Sequence, residues 1–368
     1  MKRDREARTQ VRDTGAHRMK PRVMNPSKTF ALLAGAAVAV GAAWTPPLHA
    51  QGAPTVIKVA SAVAPIRAPI DIATERGFFA AEKITVEYVP IQSGPDQMPL
   101  LASGRVDVTL TGPAATHFNA LSANVPVKFV ASCGNSSSDG KTANLMLTVR
   151  KDWMDSKQVR TVKDLAGKKI GIPNKESKAY VDAAAWLEKA GLKLADVTFV
   201  APMTFPDMLV GITNKAIDAA ITIEPFVTIG ASRNASTLLT GDNDIMPNRL
   251  GCAVMYGQRM VTDRELGLRF LRAWIKGARV YNDGMFKSVG RAEIVKLMVE
   301  KYVVKDAAMY DRMSPFPIDP NGRLNLTSIE LDLKFYREQG LLTGDVQTAR
   351  LVDTKLASEI VTALGEYK

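Results

Sequence analysis

The chain has 368 residues, 46% of them hydrophobic, with a net charge of +11, two cysteines and three histidines. That length and apolar content suffice for more than one buried core, and so few cysteines and histidines exclude a disulfide-dense or zinc-scaffolded fold. Much of the charge is terminal: residues 1–28 hold nine Lys/Arg against three Asp/Glu, so the remainder is mildly basic and lacks the basic–aromatic interleaving of nucleic-acid binders.

The basic start is followed by an apolar run, Phe30–Val40, then Pro46-Pro47 and the small residue Ala50. This order is that of a secretory signal, and the run is short for a membrane span. Residues 1–50 are expected to be a signal peptide cleaved near Ala50, with the mature protein in the periplasm. No cysteine stands at the cleavage point to carry a lipid.

The same α/β paragraph then occurs twice. In the first copy, an apolar strand over Val56–Ala60 leads into a helix over Pro69–Arg76, opened by proline and stopped by Gly77. Ile84–Val89 alternates as a half-buried strand does. Gln92-Ser93-Gly94-Pro95-Asp96 turns into a helix that Gly104 ends, and Val106–Thr111 is a strand carrying one acid, Asp107. A helix begins at Pro113, Val125–Ser132 is a further strand, and Gly134–Gly140 is a polar loop. Asn144–Arg150, a continuous apolar run, reads as the first crossing to a second lobe.

The second copy runs from Ile170-Gly171-Ile172 through a helix over Ser177–Ala190 to a strand ending in Pro202. It closes on a strand with one acid inside it, Asp218, that runs on to Ile223 and is followed by Glu224-Pro225. Asp107 and Asp218 read as residues that fix their loops. Cys252–Tyr256 reads as the return crossing, after which the chain is helical, with capping boxes at Thr262–Glu265 and Thr327–Glu330. The expected division is residues 51–142 with 257–368 in one lobe and 143–256, with the crossings, in the other. Cys133 and Cys252 are either a disulfide near the hinge or two buried thiols. No P-loop, GxSxG elbow or HExxH motif is present.

Several of these stretches resemble the nitrate/sulfonate/taurine group of ABC-transporter substrate-binding proteins. They are Ala73–Phe79, Ile84–Val89, Leu101–Val108, Asp164–Ile172, Ala216–Ala220 with Glu224-Pro225, and Phe335–Leu342. The resemblance implies an α/β type II periplasmic binding protein fold, two lobes joined by a two-strand hinge. It implies a monomer that captures a small anionic organic solute, of sulfonate or carboxylate class, and delivers it to an ABC permease, without cofactor, metal or catalytic residue. The alternative is an enzyme on the same fold, desulfinase-like, with Cys133 as nucleophile and His117 as base.

Open α/β sheets bind ligands at the carboxyl ends of their strands, where helix starts offer N–H groups to anions. In the first copy this selects Ala64, Arg67, Gln92, Ser93, Gly94, Thr111, Gly112, Pro113, Asn135 and Ser136. In the second it selects Asn174, Ser177, Tyr180, Thr204, Glu224 and Phe226. Arg67 is either a bidentate anion clamp or a solvated rim charge. Thr111 and Ser177 are ligand hydroxyls or plain helix caps. Tyr180 lines the cleft or covers the second lobe, Glu224 is structural or faces the hinge, and Met203 and Phe226 give apolar contact or pack in the core.

Overall fold

The computed structural model describes residues 53–91, 97–137 and 139–368. The expected export segment lies outside these residues, as do Gln92, Ser93 and Gly94.

The two sequence copies become two sheets of one plan. In the first, β1 (Thr55–Ser61) lies parallel between β2 (Ile84–Pro90) and β3 (Val108–Thr111), with β4 (Lys128–Asn135) at the far edge. The chain then lays β5 (Met146–Arg150) into a second sheet. There β6 (Lys169–Gly171) lies parallel between β7 (Thr198–Val200) and β8 (Ala219–Thr222), and β9 (Ser236–Gly241) is the edge. Finally β10 (Leu250–Tyr256) returns to the first sheet, antiparallel to both β3 and β4. The orders β2-β1-β3-β10-β4 and β7-β6-β8-β5-β9 are equivalent. Both β3 and β8 are buried at every position, as strands covered on two faces require.

The repeated acids do the same work in each sheet. Asp107 accepts a hydrogen bond from the Lys58 N–H at 2.9 Å, and Asp218 accepts one from the Lys169 N–H at 2.8 Å. Each carboxylate thereby pins the start of its strand, β3 or β8, to the parallel neighbour β1 or β6.

Asn144–Arg150 and Cys252–Tyr256 were expected as inter-lobe crossings, and here the structure differs. Both runs are mainly central strands, β5 between β8 and β9 and β10 between β3 and β4. A continuous apolar run needs neighbours on both sides and cover on both faces. The passages between sheets fall just before them, at 136–145 and 242–249. These passages are tied to each other: Ser136 N–H donates to the Arg249 carbonyl at 2.8 Å, and Asn144 N–H donates to Asp242 at 3.0 Å.

The C-terminal helices cover the first sheet. The helix Arg264–Phe286 packs on Ala68–Glu75 so closely that a methyl group at Gly277 would lie 2.1 Å from the Pro69 carbonyl oxygen. Its cap is Asp263, which accepts from Leu266 N–H, and the helix Leu326–Glu338 is capped by Asn325. Each cap stands one or two residues from the threonine expected to serve. Among the described residues, no helix is long and apolar enough to cross a membrane.

Cys133 on β4 and Cys252 on β10 are joined in a disulfide that closes a sequence separation of 119 residues. It staples the first-sheet ends of both passages. A loop of that length gives a chain-entropy stabilisation of up to about 4–5 kcal/mol. Reduction, or Cys133→Ala with Cys252→Ala, is expected to lower the denaturant midpoint accordingly. An unchanged midpoint in reductant would show that the bridge bears no stability.

Candidate functional site

A cleft of about 180 Å³ opens at the carboxyl ends of the parallel strands of both sheets. Its floor is made by strand ends that approach closely. A methyl group at Gly251 would lie 2.1 Å from Asn144 Cγ, and one at Gly134 would meet Asn144 and Phe316 within 2.7 Å. Bare backbone at both positions lets these two side chains lie flat on the sheet. The walls are chiefly apolar: Ile66 and Leu110 from the first half, Met203, Phe205 and Ile223 from the second, and Phe316 from the C-terminal segment.

Three helix starts meet here. The helix Ala115–Ser122 begins after β3, Lys178–Lys189 after β6, and Phe205–Thr213 after β7. The first two touch across the cleft, where Ala115 N–H donates to the Glu176 carbonyl at 2.9 Å. The hydroxyl of Ser177 donates to the Asn174 carbonyl at 2.7 Å and does not cap its helix. The N–H groups of Thr116, Lys178, Ala179 and Phe205, all cleft-lining residues, meet no acceptor among the described residues.

Of the residues selected from sequence, Thr111, Gly112, Asn174, Ser177 and Thr204 line this cleft. Others are committed elsewhere. Arg67 is the largest departure: its Nε bonds Asp71 at 2.9 Å, and its guanidinium lies over the Tyr88 ring at 4.1 Å. Asp71 also accepts the hydroxyls of Tyr88 and Tyr302. Arg67 is thus buried and held by a carboxylate one helical turn away, and it is not among the residues that line the cleft. Ala64 is buried at the start of a short 3-10 turn, and the Pro113 carbonyl accepts the Tyr336 hydroxyl. Asn135 turns to the Arg323 carbonyl, and the Ser136 hydroxyl accepts the Arg249 N–H. Tyr180 covers the second sheet, edge-on to Phe199 and Phe335. Glu224 accepts from Thr228 and from the Ser314 N–H; burial pushes its carboxyl up, against the pull of those bonds. Phe226 stacks behind Phe205 at 6.3 Å, a packing role.

Lys178, Glu176, Thr116, Asn144 and Phe316 line the cleft but were not selected. Lys178 and Glu176 flank Ser177 and lie within a loop that sequence did indicate. Asn144 and Phe316 carry no local signal, since a passage and the C-terminal segment bring them in.

Below the floor lies a buried ionic network. Lys178 Nζ bonds both oxygens of Asp182, at 2.9 and 3.0 Å. Arg249 reaches Asp182 through Nε and Nη2, and Asp332 through Nη2 at 2.5 Å. Burial opposes the charge on Asp182, but Arg249 and Lys178 outweigh it and hold the carboxyl below its usual range.

The residues of the enzyme alternative are also committed. Cys133 is in the disulfide and has no free thiolate. His117 is buried, its Nδ1 accepts the Ala114 N–H at 3.0 Å, and burial pushes its imidazole down to about 3. Among the described residues no cluster of three or more His, Cys, Asp or Glu is placed to hold a metal ion.

The sheet orders and the cleft between them define a two-lobed α/β binding-protein fold. Solved structures match it: the alkanesulfonate-binding protein SsuA from Xanthomonas axonopodis pv. citri bound to MOPS (18% identity, TM-score 0.65, 82% of this chain and 99% of that one). The periplasmic nitrate-binding protein NrtA from Synechocystis PCC 6803 matches at 14% identity and TM-score 0.71, over 85% and 89% of the two chains. The desulfurization enzyme DSZB matches at 15% and 0.59, over 84% and 99%. The family model described as NMT1/THI5 like matches residues 65–279, and the chain belongs to that family. No curated protein sequence matches it. Family and fold together support the ligand-binding role expected from sequence.

Arg67→Ala is expected to act on stability. It leaves Asp71 with two tyrosine hydroxyls in place of a charge-assisted bond, a loss of about 1.5–3 kcal/mol, read by denaturant unfolding. Unchanged stability with lost ligand binding would return Arg67 to the site.

Proposed function

We propose that this protein captures a small organic anion between its two sheets, outside the cytoplasm, and delivers it to an ABC permease. The single observation that carries the reading is the convergence of three helix starts, from both halves, on one apolar cleft. Free N–H groups at a helix start carry partial positive charge, and a ligand oxyanion satisfies them. No arginine is needed for this, which fits the commitment of Arg67 to Asp71. The apolar walls suit a hydrocarbon body, and the cleft volume limits it to a small one.

The basic-then-apolar segment before Gln51 supports export, and the relatives with this fold include proteins named for binding sulfonate and nitrate in the periplasm. The reading takes the protein as a monomer whose partners are the solute and the permease. It assigns no chemical step, and the pairing of Cys133 removes the nucleophile that the enzyme alternative would use.

A thermal-shift screen tests the ligand class. Alkanesulfonates, aryl sulfonates and carboxylates of matching size are expected to raise Tm, with a stabilisation of about 2.7 kcal/mol at a hundredfold excess over Kd. Nitrate and bicarbonate, without an apolar body, are expected to give smaller shifts. Stabilisation by the uncharged amides of the same bodies, and not by the acids, would overturn the anion reading.

A further inference from the structure

Five ionisable side chains are buried together under the cleft floor. Lys178 and Asp182 come from the helix Lys178–Lys189, Asp242 and Arg249 from the second passage, and Asp332 from the helix Leu326–Glu338. None is more than 4% exposed. Three carboxyl groups thus face two cations in a region closed to water. The cations are already divided: Lys178 serves Asp182, and Arg249 serves Asp182 and Asp332. Asp242 has amides only, its two oxygens facing the N–H and the side-chain amide of Asn144. A buried carboxylate without a counter-ion is unfavourable, and a proton removes the charge.

From this charge count, we infer that the cleft binds its anion together with one proton, and that Asp242 is the group that holds the proton. The inference rests on the reading of the cleft as an anion site.

The link between the two sites is short. Asn144, which bonds Asp242, lies on the cleft floor, and the stem of Lys178 lines the same cleft. An anion at the helix starts adds a negative charge to the region that already holds one carboxyl too many. In a medium of low polarity this favours the protonated form of Asp242. The groups facing Asp242 agree. Burial, then the charge of Asp182, push its carboxyl up to about 7, while Lys178, the Asn144 N–H and Arg249 pull only partly against them. On its far side, Arg249 is drawn toward Asp332, whose second oxygen is buried without a partner. On its own turn, the Asp244 carboxylate is taken by the Thr240 hydroxyl and its carbonyl by Lys189.

The sign follows from linkage. If the complex holds a proton that the free protein loses above about pH 7, affinity falls as pH rises through that range, by at most about tenfold per pH unit. The overall loss is expected to be on the order of tenfold by about pH 9.

Benzenesulfonate, benzoate and hexanoate stay ionised between about pH 6.5 and about pH 9, so the probes themselves do not titrate. Calorimetry with them on the full mature protein, in two buffers of different ionisation enthalpy, counts protons directly. Uptake of a proton on binding, with affinity falling toward about pH 9, is the expected result. In Asp242→Asn both effects should vanish, and in Asp244→Asn, at the exposed carboxylate of the same turn that lies outside the buried network, both should persist. A wild-type affinity that does not change with pH overturns the inference, as does an unchanged slope in Asp242→Asn. Failure of every probe at every pH would instead count against the anion reading of the cleft. The proton site is then read in ligand-free protein. A carboxyl whose folded value lies above its unfolded one costs stability as pH rises toward the folded value. The Tm of Asp242→Asn should therefore gain on the wild type between about pH 4 and about pH 7, and the difference should level off above that. A constant difference would place no proton on Asp242.

Discussion

The guanidinium of Arg249 is fully buried, and it is the constraint on which the cleft depends. It stands in the second passage between the sheets and holds a carboxylate on either side. Asp182 comes from a helix of the second half, and Asp332 from a C-terminal helix that covers the first. Charges without water must be met by partners in one geometry, because an unmet one costs several kcal/mol. The helix Lys178–Lys189 is therefore set in position and rotation against Leu326–Glu338. Its start then faces the start of Ala115–Ser122, and the contact of Ala115 with Glu176 follows. Ser328 completes the arrangement by accepting from Arg249 and from the Leu250 N–H, which joins the network to β10. The same residues thus fix the passages, the helix starts and the floor.

The chemistry of the cleft follows from what these constraints leave unused. The buried basic side chains near it are engaged: Arg67 with Asp71, Lys178 with Asp182, Arg249 with two acids. What these buried cations leave for a ligand is backbone N–H at helix starts, the neutral side chains of Thr116 and Asn174, and apolar wall. Backbone donors are immobile and need no counter-ion, so they can meet an oxyanion without a buried, unpaired cation in the empty site. The disulfide and the glycine floor serve the same end, since they hold β4 and β10 where Asn144 and Phe316 must lie.

Much of this was legible in the sequence, and the reason is repetition. Two α/β paragraphs with an acid at the same point gave two sheets of one order, and Asp107 and Asp218 keep equivalent bonds. Features that depend on distant partners were not legible. An apolar run such as Asn144–Arg150 looks alike whether it crosses between lobes or fills the middle of a sheet, and only β8 and β9 decide it. Arg67 follows a strand and precedes a helix, the right place for an anion clamp, but Asp71 on the next turn bonds it, and the ring of Tyr302, over 200 residues away, lies under its guanidinium. Phe316 reaches the cleft because Gly134 gives it room. Arg249 sits in a polar stretch with no motif, and its role exists only once two helices converge on it.

The central claim is that ligand oxygen atoms meet the free N–H groups of the helix starts. Amide chemical shifts report this residue by residue. On titration with the anion of highest affinity, the amides of Thr116, Lys178, Ala179 and Phe205 are expected to move together, saturating at the calorimetric Kd. Saturable binding that leaves these four amides in place and shifts others would contradict the account.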